Sequence, residues 1–120
     1  MNKIYLIKAA VVLTSLLLLT SCDPETCGTA YITNKSSDTV ELIRPGSEPK
    51  SLAPDQVDET GPVCGIGRGQ TAYSIISGLE KVQRDTVPCK RDIRIDTNWT
   101  TTKSSKYKYE HRFVITDQDF

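Results

Sequence analysis

The chain is poor in the residues that most catalytic, metal or nucleic-acid sites require. Among 120 residues there is one histidine, one tryptophan and one methionine, and 15 Lys and Arg are balanced by 15 Asp and Glu. Zero formal charge excludes the strongly basic surface of a nucleic-acid binder. His111 has no cysteine or carboxylate at ligand spacing, so it is a poor nucleus for a metal site, and a Ser-His-Asp set could be built only around it. There is no D-x-[DN]-x-[DN]-G calcium loop. The glycine-rich stretch Gly65-Ile66-Gly67-Arg68-Gly69 has Gln70 where a dinucleotide fingerprint needs its last glycine, and no G-K-[ST] follows. No cofactor is therefore expected. Nor does any apolar run reach the roughly 20 residues of a membrane-spanning helix.

One shorter apolar run is present, at the start. Lys3 and Lys8 precede Ala9 to Thr20, which is almost wholly apolar, and Ser21 is a small residue directly before Cys22. A positive start, an apolar run of roughly 7–15 residues and a small residue at the cut describe a secretory signal, here residues 1–21. Leu19-Thr20-Ser21-Cys22 resembles the lipobox of bacterial lipoproteins. The resemblance implies cleavage between Ser21 and Cys22, then acylation of the Cys22 thiol and of the new amine. One acyl chain binds reversibly and two anchor stably, so a lipid-anchored protein of the cell envelope is expected, at the outer membrane on its periplasmic or surface face. Pro24 fixes φ and lacks a donor, so residues 22–27 read as a tether. Its acids Asp23 and Glu25 resemble the acidic patch that follows the lipidated cysteine in surface-exported lipoproteins of the Bacteroidota type.

Removing residues 1–21 leaves enough chain for one domain, residues 28–120, with a modest core that benefits from a staple. Three cysteines remain after Cys22: Cys27, Cys64 and Cys89. The compartment permits disulfides. Three pairings are possible; Cys27–Cys64, which would pin the tethered end to the body, is preferred, with Cys64–Cys89 close behind. Acidic residues dominate residues 22–62 and basic ones residues 81–112. This split is read as two edges that partly neutralise each other rather than as a basic patch for an acidic glycan or lipid head group.

No long helical period occurs. Thr29 to Thr33 and Thr39 to Ile43 flank the turn cluster Asn34 to Asp38 and read as a hairpin. "GPVCGIGRGQ" reads as loop, Thr71 to Ile76 as a β-branched run, and Arg91 to Asp96 as a strand with Ile93 and Ile95 inward. In "YKYEHRFVIT", Tyr107, Tyr109, His111, Phe113 and Ile115 share one face and Lys108, Glu110 and Arg112 the other. Six or seven such strands in about 100 residues predict an all-β fold, a small antiparallel β-sandwich of immunoglobulin-like type.

"YITNKSSDTVEL" and "RFVITDQDF", together with the lipobox, resemble a group of small uncharacterised Bacteroidota-type lipoproteins that open with I-x-N-x-S-x-D-x-V and close with IT-x-x-D-[FY]. The resemblance implies a location and a β-sandwich body, not an activity. Asp38-Thr39-Val40 and Asp85-Thr86-Val87 resemble the D-[ST]-aliphatic site that such organisms O-glycosylate, which makes Thr39 and Thr86 candidates.

Two functions stay open. The first is a non-enzymatic binding or structural module, with a protein or glycan as partner; an exposed aromatic patch around Trp99 would support it, and a surface without one would count against it. The second is a small hydrolase that uses carboxylates drawn from Asp55, Asp58, Asp117 and Asp119.

Overall fold

The computed structural model describes residues 25–65, 71–76 and 78–120. In Thr26–Asn34 (β1), Gly28, Ala30, Ile32 and Asn34 are buried and the residues between them are not. Lys108–Ile115 (β8) repeats that period of two with His111, Phe113 and Ile115. A pleated strand with one covered face produces this pattern. β1 lies between β8 and Val57–Gly65 (β4), and Thr100–Ser105 (β7) completes a sheet of order β4-β1-β8-β7. Lys50–Leu52 (β3), Val40–Ile43 (β2), Lys81–Arg84 (β5) and Val87–Pro88 (β6) form the other, in the order β3-β2-β5-β6.

Ala30, Ile32, Phe113 and Ile115 from the first sheet meet Val40, Leu42, Leu52 and Val82 from the second in one apolar core. The protein is thus a small all-β sandwich, immunoglobulin-like at the level of two stacked four-stranded sheets. One pair departs from the antiparallel pattern. β1 and β8 run parallel and in register from Cys27 opposite Lys108 to Asn34 opposite Ile115.

Four local expectations are corrected. β1 and β2 do not pair as a hairpin: they belong to different sheets. Asn34, fully buried, holds the crossing between them. Its Nδ2 donates to the carbonyls of Asp38 and Leu52, both at 2.8 Å, and its Oδ1 accepts from Ser36 N–H and Oγ–H. A local side-chain network of this kind replaces the hydrogen bonds a tight hairpin would make.

Thr71 to Ile76 is no strand but contains one helical turn, Ala72–Ile75 (α1). Thr71 caps it by accepting from Ser74 N–H, and Ala72, Ile75 and Ile76 are buried at helical spacing. Arg91 to Asp96 is a turn, since Asp92 Oδ1 accepts Arg94 N–H at 2.8 Å and the Asp92 carbonyl accepts Ile95 N–H at 3.2 Å. Ile93 accordingly points inward, while Ile95 is 50% exposed. Lastly, residues 61–65 of the expected loop belong to β4, while residues 66–70 lie outside the described residues.

Gly61 permits this extension of β4. Its φ is +113°, and a Cβ there would stand 2.9 Å from the Gly28 carbonyl oxygen, next to a shift in the β1–β4 register. Only glycine fits such a position without strain.

Candidate functional site

The two ends of the sandwich differ in chemistry. At the far end of β1 and β8, the two sequence motifs meet. Lys35 N–H donates to the Ile115 carbonyl at 2.7 Å, and Ser37 donates through both N–H and Oγ–H to Asp117 Oδ1 at 2.9 Å. Thr116 and Asp119 form a capping box around the final turn, Asp117–Asp119.

Arg91 buttresses that turn. Its guanidinium donates to both Asp119 oxygens, at 2.6 and 2.8 Å, and to the Val114 carbonyl at 2.6 Å, and lies 4.5 Å from the Phe113 ring centre. Arg84 pairs with Asp117 and covers the Phe120 ring at 4.5 Å. Burial raises the Asp119 pKa, but the Arg91 hydrogen bonds and charge and the Thr116 N–H outweigh it, and the carboxyl sits below its usual range. Hydrogen bonds from Ser37 and Arg84 lower Asp117 in the same direction.

This arrangement accounts for both motifs. Ile32, Asn34, Ser36 and Val40 are buried, the Asp38 carbonyl accepts two of the bonds, and Ile115, Thr116, Asp119 and Phe120 build the facing turn. Their roles are in holding strands together.

The carboxylates do not converge on a reaction centre. Asp55 is bonded to Lys35. Asp58, buried on the inner face of β4, contacts Lys50 and lies 3.8 Å from Arg44. Asp117 and Asp119 are held by Arg84 and Arg91. None of the four lines either described concavity, and Glu59 is exposed.

His111 is 3% exposed, and a 2.7 Å hydrogen bond joins its Nδ1 to Thr101 Oγ1. It is a packed core histidine, as its place on the aromatic face predicts. Trp99 is buried too, so among the described residues it presents no exposed aromatic surface, which counts against a binding face at this position. Its Nε1–H donates to the Ile93 carbonyl at 2.8 Å, and its ring packs on Phe113 at 5.4 Å. Nothing in its immediate neighbours, the polar Asn98 and Thr100, signals this burial.

The near end, where β1 begins, carries the staple. Cys27 and Cys64 are directly opposite each other on β1 and β4, with Cα atoms 4.1 Å apart, and are disulfide-bonded. Cys89 is free and half-buried, and burial pushes its thiol pKa up. A protonated thiol is a poor nucleophile. It lies in an open concavity of about 310 Å³ whose lining includes Lys81, Lys90, Asp92 and Arg94.

The near end also carries the β7–β8 hairpin tip with Lys103, Lys106, Tyr107 and Lys108. Thr29, Ser104 and Lys108 line a concavity of about 230 Å³ there. Ser21 and Cys22 lie outside the described residues.

Both glycosylation candidates are exposed. Thr39 precedes β2. Thr86 occupies the two-residue turn between β5 and β6, where Asp85 has φ 48° and Thr86 φ 66°. This is the primed hairpin geometry, which normally takes glycine at the second position.

No protein-family model, curated protein or solved structure matches the chain.

Proposed function

We propose that the protein is a lipoprotein of the cell envelope, held to the membrane through Cys22, whose β-sandwich serves as a non-enzymatic binding or structural module. The single observation that carries this reading is Leu19-Thr20-Ser21-Cys22 at the end of a 12-residue apolar run that two lysines precede. The geometry of the body supports it. The first described strand begins four residues after Cys22 and is stapled at once by Cys27–Cys64, so a pull on the tether is carried into the sheet. The fixed, ion-paired carboxylates favour this reading over a carboxylate hydrolase, which needs two acids facing each other across a cleft.

The outer membrane is the proposed location, and a protein or glycan the proposed partner of the body. Fractionation of cells that make the wild type or Cys22→Ala tests the anchor. The wild type is expected in the membrane fraction, resistant to high salt, and Cys22→Ala outside it. Equal membrane retention of both would overturn the reading.

A further inference from the structure

We propose that the β7–β8 hairpin tip is a membrane-contact surface that binds the phosphate-bearing head groups of anionic lipids beside the anchor. This rests on the acylation of Cys22 proposed above and adds which part of the body meets the bilayer.

Position comes first. β1 and β8 run parallel with Cys27 opposite Lys108, and Cys27 N–H donates to the Tyr107 carbonyl at 2.8 Å. The hairpin tip and the point where the tether joins the body are therefore at the same end. From Cys22 to Thr26 is four residue steps, which span at most about 14 Å when fully extended. An acylated Cys22 keeps Thr26, with the tip beside it, within that distance of the head groups. The opposite end of β1, at Asn34, lies about 23 Å along the strand from Cys27.

Charge comes second. Among the described residues, no carboxylate oxygen lies within 4.0 Å of the ammonium of Lys103, Lys106 or Lys108; at the far end Lys35, Arg84 and Arg91 are each ion-paired, and Lys90 beside Asp119 is the lysine there without such a partner. Glu110, next along β8, is already bonded to Arg112 at 2.8 Å. Asp23 and Glu25 of the tether subtract from the three lysines and still leave this end positive.

The side chains also suit head-group depth. The Lys106 ammonium lies 5.4 Å from the Tyr107 ring centre, and that of Lys103 lies 5.9 Å from Tyr109. Tyrosine pairs an apolar body with a polar tip and is enriched at membrane interfaces, and lysines near an anionic surface are attracted to it. The 230 Å³ concavity under the hairpin is lined by Thr29 and Lys108 but also by Glu110, and the Ser104 hydroxyl there already donates to the Lys108 carbonyl at 3.3 Å, so the attraction to head groups rests on the lysines of the tip and not on this concavity.

The test uses the full, acylated chain reconstituted in vesicles of phosphatidylcholine alone or mixed with phosphatidylglycerol. A polarity-sensitive fluorophore is attached at Ser105→Cys or, at the far end, Gln118→Cys, both exposed positions, in a Cys89→Ser background. The Ser105 label is expected to shift to the blue and to be quenched by head-group-labelled lipid only on the anionic vesicles. The Gln118 label should report water on both. Changing Lys103, Lys106 and Lys108 together to Gln should lower the contact equilibrium roughly 100-fold, at about fivefold per lysine, and return the Ser105 label to water.

A Ser105 label that reports water on both vesicles, or a blue shift that survives the triple substitution, overturns the proposal. An intact-mass measurement on the same sample separates the two layers of the argument. An acylated Cys22 with a water-exposed tip removes the tip contact alone. An unmodified Cys22 removes the anchor and the tip contact with it.

Discussion

Removing the Cys27–Cys64 bridge should lower stability by about 4 kcal/mol, the chain-entropy value for its loop. The two cysteines are 37 residues apart in sequence, and the loop between them contains the Asn34 crossing, β2 and β3. Unbridged, that segment regains most of its freedom in the unfolded chain, while the folded sheet keeps its β1–β4 pairing. For a domain of 60–100 residues, each kcal/mol shifts the melting midpoint by about 4–8 °C, so the expected drop is about 15–30 °C.

The assay is a thermal melt followed by circular dichroism, comparing the oxidised protein with Cys27→Ala/Cys64→Ala and with the reduced wild type. Cys89→Ser is the control: the thiol is free, and its replacement should leave the midpoint within a few degrees. A midpoint that falls by less than about 5 °C in the double variant would show that the bridge stops only local fraying of the β4 end. A Cys64–Cys89 peptide in a non-reducing digest would refute the pairing itself.

Four further outcomes follow from individual residues. Trp99→Ala should cost about 3–5 kcal/mol by denaturant titration, since it empties a buried site against Phe113 and frees the Ile93 carbonyl; a loss below about 1 kcal/mol would mean that Trp99 is not core. Thr86→Gly, melted as protein without glycan, should gain up to about 1 kcal/mol, because it removes a β-branched residue from left-handed φ; a loss would contradict the turn geometry. Burial holds the His111 imidazole below its ordinary range, against the raising effect of Asp96. The unfolded chain therefore binds a proton first, and stability is full above about pH 6.5 and falls as the pH drops below it; melts from neutral to mildly acidic pH should show this, and His111→Gln should flatten that limb. Asp119→Asn should cost about 1.5–3 kcal/mol near neutral pH by weakening the two Arg91 bonds, and little at a pH low enough to protonate Asp119 in the wild type as well.

How much of this was legible in the sequence depends on the range of the interaction involved. β8 was readable because its period of two is carried by bulky residues, of which His111, Phe113 and Ile115 are buried, whereas Tyr109 is half-buried beside the concavity and Tyr107, expected on the same inward face, is exposed. The disulfide was readable as a set of candidates, and Cys27–Cys64 was the preferred pair. Arg91 to Asp96 misled because Ile93 and Ile95 alternate as a strand would, yet the Asp92 side chain captures the Arg94 N–H and turns the chain. Thr71 to Ile76 misled because β-branched composition outweighed the short helical spacing of Ala72, Ile75 and Ile76.

The roles of Asn34 and Arg91 depend on partners up to 28 residues away, at Leu52 and Asp119. No local pattern in the sequence announces such partners. The signal that could have found Asn34 is its place between Ile32 and Val40 in the I-x-N-x-S-x-D-x-V stretch, where a buried polar residue needs bonds within the turn.

The most direct test of the account is mass spectrometry of the mature N-terminus from membranes of cells expressing the full chain. The account predicts a first residue of Cys22 carrying acyl chains on both thiol and amine. A chain that still begins at Met1, or a Cys22 with an unmodified thiol, would contradict it.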